Sequence, residues 1–489
     1  MKVLTENNIR KVEETAAYGG MSFLDMMENA GRCVTEEICK RTDVKGKSVV
    51  IATGGGNNGG DGYVVARLLE NEGAFCRVVS LSEPKTQTAS IVKEKYGGEI
   101  LPFNPSYFYE ADIIVDAVFG IGFCREIEGV YKDAIEAVNE SGAYKVSVDV
   151  PSGLNADSNT AKLCVKADLT VTFIGYKLCH LTYPAKEYCG EIVLCDIGIN
   201  EAAYKEAEYL GEIIPPPVFD KRKSNTHKGS YGTAGLVVGS YSMAGAAILS
   251  VKGCLLSGVG LAKIVLPDSI YGIVTSSVPE AVCQVYFENE DVSSITEKLL
   301  DCPALLIGCG LSKGEFQKKL VKDILGKYKN KLIIDADGLN ILSENIEYIK
   351  ESKADIVLTP HPAEMARLCK ANTDEIEANR IHYAVSLAKE LDCTVVLKGA
   401  VTIVADKQGN MYFNLTGNAG MATGGSGDVL AGIIVSFAAQ GMSCLQSAMS
   451  GVYVHGSAGD KAKEQVGEIS LLPTHILSNL PEVYKELTR

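Results

Sequence analysis

The segment 414–432 combines glycines, threonines and one carboxylate in an order that suits phosphoryl transfer. Within it, Gly424–Gly427 leads directly into an apolar stretch that we expect to be helical. Backbone N–H groups at such a helix start favour anions, so they would stabilise a phosphoryl group during its transfer. Asp428 comes next, where its carboxylate could act as a base or position a hydroxyl. An N-capping role would explain an isolated aspartate, but the long glycine and threonine run favours chemistry.

A second glycine-rich loop, 54–62, lies between a predicted strand and a predicted helix. Gly54, Gly56 and Gly59 satisfy the G-x-G-x-x-G pattern, so a dehydrogenase is one interpretation of this half of the chain. Asp61 argues against it, because a carboxylate beside a pyrophosphate would repel that ligand. A tight turn between strand and helix would also require glycines here.

Polar side chains follow two later strands of the first half of the chain, at Asp116 and at Asp149 with Ser152. The carboxyl ends of parallel strands lie at one edge of a sheet, so these residues should converge with the loop at Asn58. Oxygen atoms of Asn58, Asp116 and Ser152 could hold a hard cation. Each residue alone is typical of a turn or cap, but three at one edge favour a site.

The elements that must position these residues alternate along the chain between helical and strand-like patterns, which predicts α/β architecture. Short continuous apolar runs are typical of buried parallel strands, so the first half predicts a doubly wound, Rossmann-like sheet. Its predicted helices include 6–18, 22–41, Tyr63–Asn71 and Tyr131–Glu140, and its predicted strands are Ser48–Thr53, Phe75–Leu81, Asp112–Val118, Lys145–Val150, Leu169–Ile174 and Ile192–Ile197. The strands predicted in the second half are Ala234–Gly239, Ala262–Leu266, Ala304–Ile307, Leu332–Asp335, Ile356–Thr359, Thr394–Leu397 and Thr402–Ala405.

A domain boundary is predicted at Pro215-Pro216-Pro217, because three consecutive prolines cannot continue a helix or a central strand. The length of 489 residues is consistent with two or more domains. We expect a first domain at 1–212, a linker at 213–223 and a second domain at 224–489.

The composition excludes several classes of protein. The 46% hydrophobic and 22% charged residues are typical of a soluble globular protein, and the net charge of −14 argues against a nucleic-acid binder. The 15 cysteines form no C-x-x-C pair and the six histidines show no zinc spacing, which fits a reducing compartment. The N-terminal segment lacks an apolar signal core, and the longest apolar stretch, 429–439, is too short to span a bilayer. We therefore expect a cytoplasmic protein with neither a nucleic-acid nor a membrane partner. We also expect a homo-oligomer that binds small molecules.

The first half of the chain carries N-N-G-G-D-G, D-A-x-F-G-x-G and S-V-D-V-P-S-G-L in this order, and these motifs resemble those of the NAD(P)H-hydrate epimerases. The resemblance covers essentially the whole first domain. It implies a potassium ion held by Asn58, Asp116 and Ser152, and a catalytic role for Asp149. It also implies substrate contacts from Asn57, Asn58, Gly59, Gly60, Asp61, Gly120, Ile121, Gly122, Phe123, Cys124, Arg125, Glu126 and Asp149. The loop 123–129 departs from the family pattern because it is more acidic.

The second half contains no Walker A sequence, and its T-G-G-S-G-D at a helix start resembles the ribokinase-like superfamily. Further motifs at 227–232, 242–247, 308–311, 335–340, 359–365 and 398–402 match the NAD(P)H-hydrate dehydratases in order. The resemblance implies a ribokinase-like α/β domain that uses ADP, together with Mg²⁺. It implies substrate contacts from Ala246, Gly310, His361 and Asp428, and nucleotide contacts from Lys398, Gly399, Ala400, Val401, Thr402, Asn418, Ala419, Gly420, Met421, Ala422, Thr423, Gly424, Gly425, Ser426 and Gly427. Ser312 and Ala363 stand where the family pattern has glycine.

Together, these resemblances imply an enzyme that repairs NADHX and NADPHX, the hydrated forms of NADH and NADPH. The first domain would interconvert the R and S epimers, and the second would dehydrate the S epimer at the expense of ADP, giving AMP and phosphate. Asp428 would take the hydroxyl proton as that group is phosphorylated. Two alternatives remain open: a vitamin or sugar kinase for the second domain, and a non-catalytic binding module for the first.

Overall fold

The computed structural model describes residues 1–489, which fold into two compact units, Met1–Glu212 and Ile213–Arg489. The strands of the first unit are β1 Lys2–Val3, β2 Ser48–Thr53, β3 Phe75–Ser80, β4 Ile100–Leu101, β5 Ile113–Ala117, β6 Tyr144–Val148, β7 Leu169–Phe173 and β8 Glu191–Cys195, and a further strand, β9 Gly211–Ile213, spans the boundary in sequence. Its helices are α1 Glu6–Tyr18, α2 Phe23–Arg41, α3 Asn57–Asn71, α4 Gln87–Tyr96, α5 Pro105–Tyr109 and α6 Val130–Glu140.

The main sheet of the first unit has the strand order β4-β3-β2-β5-β6-β7-β8, and all neighbouring strands in it are parallel. The chain moves outward to one side through β3 and β4, and then to the other side from β5 onward. The carboxyl ends of β2 and β5 therefore flank the point where the strand order reverses, which is where ligands bind in such sheets. The predicted doubly wound, Rossmann-like fold is confirmed.

Both faces of this sheet are covered, which explains why its strands are apolar along their whole length. Val49 and Ile51 of β2 pack into one core with residues of α1, α2 and α3. Val50 and Ala52, which point the other way, pack into a second core with residues of α5 and α6. Successive residues of a strand face opposite sides, so one continuous apolar run serves two helical layers.

The glycines of the predicted turn 57–62 lie inside α3, which starts at Asn57 rather than at Tyr63 as predicted. Glycine disfavours helix in isolation, but close packing overrides that preference here. A Cβ on Gly59 would lie 2.0 Å from the Gly54 carbonyl oxygen, and one on Gly62 would lie 2.7 Å from the Ala117 Cβ. The missing side chains let the start of α3 approach the ends of β2 and β5.

The second unit is a larger α/β fold. Its strands are β10 Thr233–Val237, β11 Leu261–Pro267, β12 Val282–Tyr286, β13 Ala304–Ile307, β14 Lys331–Ile334, β15 Asp355–Leu358, β16 Thr394–Leu397, β17 Thr402–Ala405 and β18 Met411–Asn414. Its helices are α7 Ala244–Leu256, α8 Tyr271–Ser277, α9 Val292–Glu297, α10 Glu315–Lys327, α11 Asp337–Glu344, α12 Glu347–Glu351, α13 Pro362–Cys369, α14 Thr373–Ala378, α15 Arg380–Glu390, α16 Ser426–Ala439, α17 Cys444–Val466 and α18 Pro473–Leu487.

These strands pair in the order β18-β17-β16-β15-β14-β13-β10-β11-β12. Every pair of neighbouring strands between β16 and β12 in this order is parallel. The strands β16, β17 and β18 form an antiparallel meander, which places β18 at the opposite end of this order from β12. The apolar stretch 429–439 is buried within α16, the helix that follows the glycine and threonine run. No helix of the chain combines the length and the apolar character that crossing a membrane would require.

The segment 213–223, predicted as a linker, is hydrogen-bonded within the second unit. The Ile214 N–H donates to the Phe413 carbonyl at 2.9 Å, and the Phe219 N–H donates to the Leu487 carbonyl at 3.0 Å. The Arg489 N–H in turn donates to the Phe219 carbonyl at 3.0 Å. This segment is therefore tied to the end of the chain rather than free.

Candidate active sites

A cavity of about 510 Å³ lies at the carboxyl edge of the first unit's sheet. The predicted site residues that line it are Asn57, Asn58, Asp61, Gly120, Ile121, Gly122, Phe123, Cys124, Arg125 and Asp149. Gly59 and Gly60 do not line it, because they face Gly54 and Met27 inside the packing of α3. Glu126 lines an adjoining cavity of about 440 Å³ and is paired with Lys162 at 3.1 Å.

The three residues predicted to bind a cation are brought together at this edge. Ser152 donates to the buried Asp116 carboxylate through both its hydroxyl and its N–H, the latter at 2.8 Å. The Phe119 N–H donates to Ser152 Oγ at 2.8 Å, and its carbonyl accepts from Asn58 Nδ2 at 3.0 Å. Burial raises the pKa of Asp116, while hydrogen bonds from Ser152 lower it.

The chemistry of this donor set fits a weakly hydrated monovalent ion. It offers one carboxylate, from Asp116, with the neutral oxygens of Asn58 and Ser152. Mg²⁺ requires near-octahedral oxygen ligands and is usually bound through carboxylates and phosphates, so a set with a single charge suits it less well.

The side chain of Asp149 is bound to a buried lysine. It follows β6 at φ 65°, a left-handed conformation that is uncommon for a residue with a side chain. Its Oδ1 accepts from the buried Lys177 ammonium and, at 2.9 Å, from Thr172 Oγ1. The buried His180 lies beside this pair, and desolvation, followed by the charge of Lys177, lowers its pKa to about 3. Lys177 was not predicted, because nothing in the sequence distinguishes it from a surface lysine.

Glu13 is a further cavity residue that was not predicted from the sequence. It lies on α1, whose buried face includes Ile9, Val12 and Ala16, and its position beside that face was the available signal. Burial, followed by repulsion from Asp149, raises the pKa of Glu13 to about 7. The same two effects raise the pKa of the neighbouring Asp61.

In the second unit, Asp428 lies in the first turn of α16. The N-cap residue is Gly425 at φ 96°, so the capping interpretation of Asp428 is wrong. A Cβ on Gly427 would lie 3.3 Å from Lys398 Nζ, so the glycine loop and the β16 end meet here. Burial, followed by repulsion from Asp335, raises the pKa of Asp428 to about 7.

Lys398 joins the predicted site residues into one polar network. Its Nζ donates to Asp335 Oδ1 at 2.7 Å and lies 3.8 Å from a Glu364 carboxylate oxygen. Glu364 lies 3.3 Å from His361 Nε2 and accepts from the His361 N–H at 2.8 Å. Lys398 is therefore not a surface lysine. Asp335 and Glu364 lie in the motifs 335–340 and 359–365, but they were not predicted as site residues.

Cys309, Asp335 and Asp428 place their ligand atoms within 4.8 Å of one another. This cluster does not fit a resident Mg²⁺, which takes oxygen ligands, because one member is a thiol and Asp335 is already paired with the Lys398 ammonium. A magnesium ion at this site would need the phosphate oxygens of a nucleotide.

Most other predicted residues of the second unit lie in the surrounding loops, whereas Ala246 lies in the first turn of α7, Thr402 begins β17, and Ser426 and Gly427 begin α16. A Cβ on Gly310 would lie 2.8 Å from the Ala246 Cβ, so only glycine allows this approach. Ser312 has φ 69°, the conformation that the family glycine would adopt without strain. Arg380 donates to the Lys398 and Val401 carbonyls at 3.1 and 3.2 Å, which fixes the 398–402 loop. Asn418 Nδ2 donates to Asp460 at 3.0 Å.

Comparison with protein-family models gives one match in each half of the chain. Residues 24–179 match the family described as the YjeF-related protein N-terminus. Residues 234–482 match the family described as NAD(P)H-hydrate dehydratase.

Relatives of full length are similar along the whole chain. The bifunctional NAD(P)H-hydrate repair enzyme Nnr of Thermofilum pendens is 36% identical, covering 100% of this chain and 97% of that protein. Its counterpart of the same name in Escherichia coli K12 is 32% identical, covering 98% of this chain and 93% of that protein.

Among solved structures, the ADP/ATP-dependent NAD(P)H-hydrate dehydratase of Bacillus subtilis, co-crystallised with ATP and Mg²⁺, is similar to the second half. The two share 29% identity at a TM-score of 0.50, over 55% of this chain and 95% of that one. A ribokinase-like protein of Enterococcus faecalis also gives 29% identity and a TM-score of 0.50, over 55% of this chain and 93% of that one. The predicted ribokinase-like fold of the second half is confirmed.

Proposed function

Because this chain belongs to the family of bifunctional NAD(P)H-hydrate repair enzymes, we propose how its two units divide the repair. Residues 1–212 form the epimerase, which interconverts the R and S hydrates, and residues 224–489 form the dehydratase, which acts on the S epimer. The segment 213–223 connects them in sequence. ADP is the phosphoryl donor for the second unit, and AMP and phosphate are its products.

The observation that best supports the dehydratase assignment is the position of Asp428. Its carboxylate lies in the first turn of a helix that begins at the Gly424–Gly427 run. The pKa of Asp428 is raised to about 7, chiefly by burial, so at neutral pH the group can both accept and release a proton. A base beside amides that favour anions is the arrangement that phosphorylation of a hydroxyl requires.

The reaction in this site has two stages. Asp428 takes the proton of the substrate hydroxyl as that oxygen attacks the terminal phosphorus of ADP, and AMP leaves. The N–H groups of Gly424–Gly427 stabilise the charge that develops on the transferred phosphoryl group. The phosphate ester is a far better leaving group than hydroxide. Its C–O bond then breaks, the adjacent carbon loses a proton, and the 5,6 double bond of the nicotinamide ring is restored.

A magnesium ion at this site would be held by the phosphate oxygens of the nucleotide, since the carboxylates here do not form a cage of their own. The ion would neutralise phosphate charge. Lys398 keeps Asp335 neutralised at 2.7 Å. His361 and Ala246 would contact the hydrated ring, and the 398–402 and 418–427 loops would hold the nucleotide.

In the first unit, the proposed substrate site is the cavity at the carboxyl edge of the sheet. Asn58, Asp116 and Ser152 would hold a potassium ion, whose charge would help fix the loops around the substrate. Asp149 would face the hydrated ring, with its orientation set by the buried Lys177 and by Thr172.

The proposal is tested with the separated R and S hydrates and the purified chain. Return of dihydronicotinamide absorbance should require a nucleotide, and the rate with ADP should exceed that with ATP. The S hydrate should be consumed without delay, whereas the R hydrate should be consumed only as fast as it is epimerised. Equal, immediate consumption of both epimers would contradict the division of labour, and a faster reaction with ATP would contradict the choice of donor.

A further inference from the structure

A carboxylate on the wall of the first unit's cavity is not among the proposed cation ligands or substrate contacts. Glu13, on α1, lines the same cavity as Asp61 and Asp149. It makes no hydrogen bond and no ion pair, whereas Arg10 on the same helix is paired with Glu6 at 2.8 Å. A half-buried carboxylate without a partner costs stability, so a structural role does not explain it.

We propose that Glu13 is a catalytic residue of epimer exchange, which donates a proton to the departing hydroxyl of the hydrated nicotinamide ring. This inference rests on the proposed epimerase function of the first unit and names the acid that the reaction needs.

The negative charges around the cavity favour the protonated form of Glu13. Three separate elements supply the carboxylates: α1, α3 and the loop after β6. The cation buried beside them, Lys177, is bound to Asp149. Arg10 and Glu14 are the other charged groups that act on Glu13. Like charges sharing a cavity cannot all ionise, and burial with repulsion from Asp149 raises the pKa of Glu13 to about 7.

The chemistry of the substrate requires an acid of this kind. The carbon that carries the hydroxyl is bonded to the ring nitrogen, so inversion can proceed by loss and return of water. The nitrogen lone pair forms a C=N bond as the C–O bond breaks, and the C–O electron pair stays with oxygen. Glu13 supplies the proton that turns the departing hydroxide into water.

The return of water completes the exchange. The carboxylate of Asp149 faces the cavity and would stabilise the cationic C=N intermediate, whereas burial raises the pKa of Asp61 well above its ordinary value. Water adds to the opposite face of the ring, the C=N π electrons return to nitrogen, and the Asp149 carboxylate accepts the proton that the water loses. Transfer of that proton to Glu13 resets the site, and no oxidant, reductant or further reactant is consumed.

The test compares Glu13→Gln with Glu14→Gln, an exposed neighbour on the same helix. Exchange of separated epimers by the full-length wild type, corrected for the spontaneous rate, should fall as the pH rises through about 7. Glu13→Gln should lower kcat by at least about 10²-fold, change KM by less than about threefold and remove this pH dependence. Glu14→Gln should keep the wild-type kcat and KM and retain the pH dependence, with at most a slight shift to lower pH because Glu14 is the smallest of the charges acting on Glu13.

Two further measurements separate chemistry from folding. Binding of unhydrated NADPH, followed by its fluorescence, should be unchanged in Glu13→Gln, and added formate should partly restore exchange by Glu13→Ala. Loss of NADPH binding together with activity would overturn the proposal in favour of a packing role. Wild-type exchange with an unchanged pH profile in Glu13→Gln would refute the proposal alone, whereas absence of exchange in the wild type would refute the epimerase function as well.

Discussion

Replacing Asp428 by asparagine should strongly slow dehydration and yet stabilise the second unit above neutral pH. Burial, followed by repulsion from Asp335, raises the pKa of Asp428 from 3.8 to about 7. The folded state therefore holds this proton more tightly than the unfolded chain does. The stability that the group contributes is fully present below about pH 3.8 and is lost as the pH rises through about 7. Asparagine has no charge to desolvate, so it avoids that loss.

The size of both effects follows from the position of this carboxylate. A pKa shift of about three units corresponds to about 4 kcal/mol for a fully buried group. Asp428 is only half-buried, and solvent screening reduces the expected gain to about 2 kcal/mol. That gain would raise the midpoint of thermal unfolding by about 4–8 °C at pH 8 and by little at pH 4. Loss of the base should lower the dehydration rate by about 10²–10⁴-fold.

The assay follows dihydronicotinamide absorbance from the S hydrate with saturating ADP between pH 5 and pH 9 (about two units either side of the raised pKa). In the wild type, the rate should fall about tenfold per pH unit below about 7, and Asp428→Asn should lack this limb. Asp268→Asn, an exposed aspartate of the same unit, is the control. Dehydration by Asp428→Asn within about tenfold of the wild type, or an unchanged acid limb, would refute the role of Asp428 as the base.

Three further predictions concern the pH limb, the cation and the connecting segment. Asp335→Asn removes a charge that raises the pKa of Asp428, so the acid limb of dehydration should move to lower pH; an unmoved limb would count against their coupling. Replacing potassium by a bulky organic cation at constant ionic strength should slow epimer exchange, and Asp116→Ala should weaken the response to added potassium; equal rates throughout would exclude the cation site. A fragment 213–489 should unfold at a higher temperature than 224–489, since the shorter one loses the hydrogen bonds between Phe219 and the chain end; equal midpoints would contradict this.

Much of the fold could be predicted because buried parallel strands are continuous apolar runs. The predicted strand Ser48–Thr53 agrees at both ends with β2, and Thr402–Ala405 with β17. The strand β12, Val282–Tyr286, was missed because it is half-exposed and interrupted by a glutamine. The strand β18, Met411–Asn414, was missed because it is short and ends in an asparagine. Weak local patterns of this kind become strands only through pairing.

The candidate sites could be predicted where glycine loops mark them, but not where a lone charge acts through packing. The loops at Gly54 and Gly424 are rich in glycine, which allows a tight turn and a close approach of the backbone to a ligand. Lys177, Asp335 and Glu13 carry no such mark, because their significance depends on burial beside another charge. The folded chain brings those charges together although they are far apart in sequence, so no local pattern indicates which charged groups will meet.

The division of repair between two independent sites is tested most directly by mixing two variants, each of which has lost the activity of one site. An equilibrium mixture of R and S hydrates is treated with ADP, and the dihydronicotinamide absorbance is compared among chains at the time when the wild type reaches its plateau, before spontaneous exchange is appreciable. At that time the wild type should have recovered both epimers, Asp149→Asn mainly the S share, and Asp428→Asn almost none. A mixture of the two variant chains should recover both epimers. Failure of that mixture to exceed Asp149→Asn alone, with both variants folded, would contradict two separable sites.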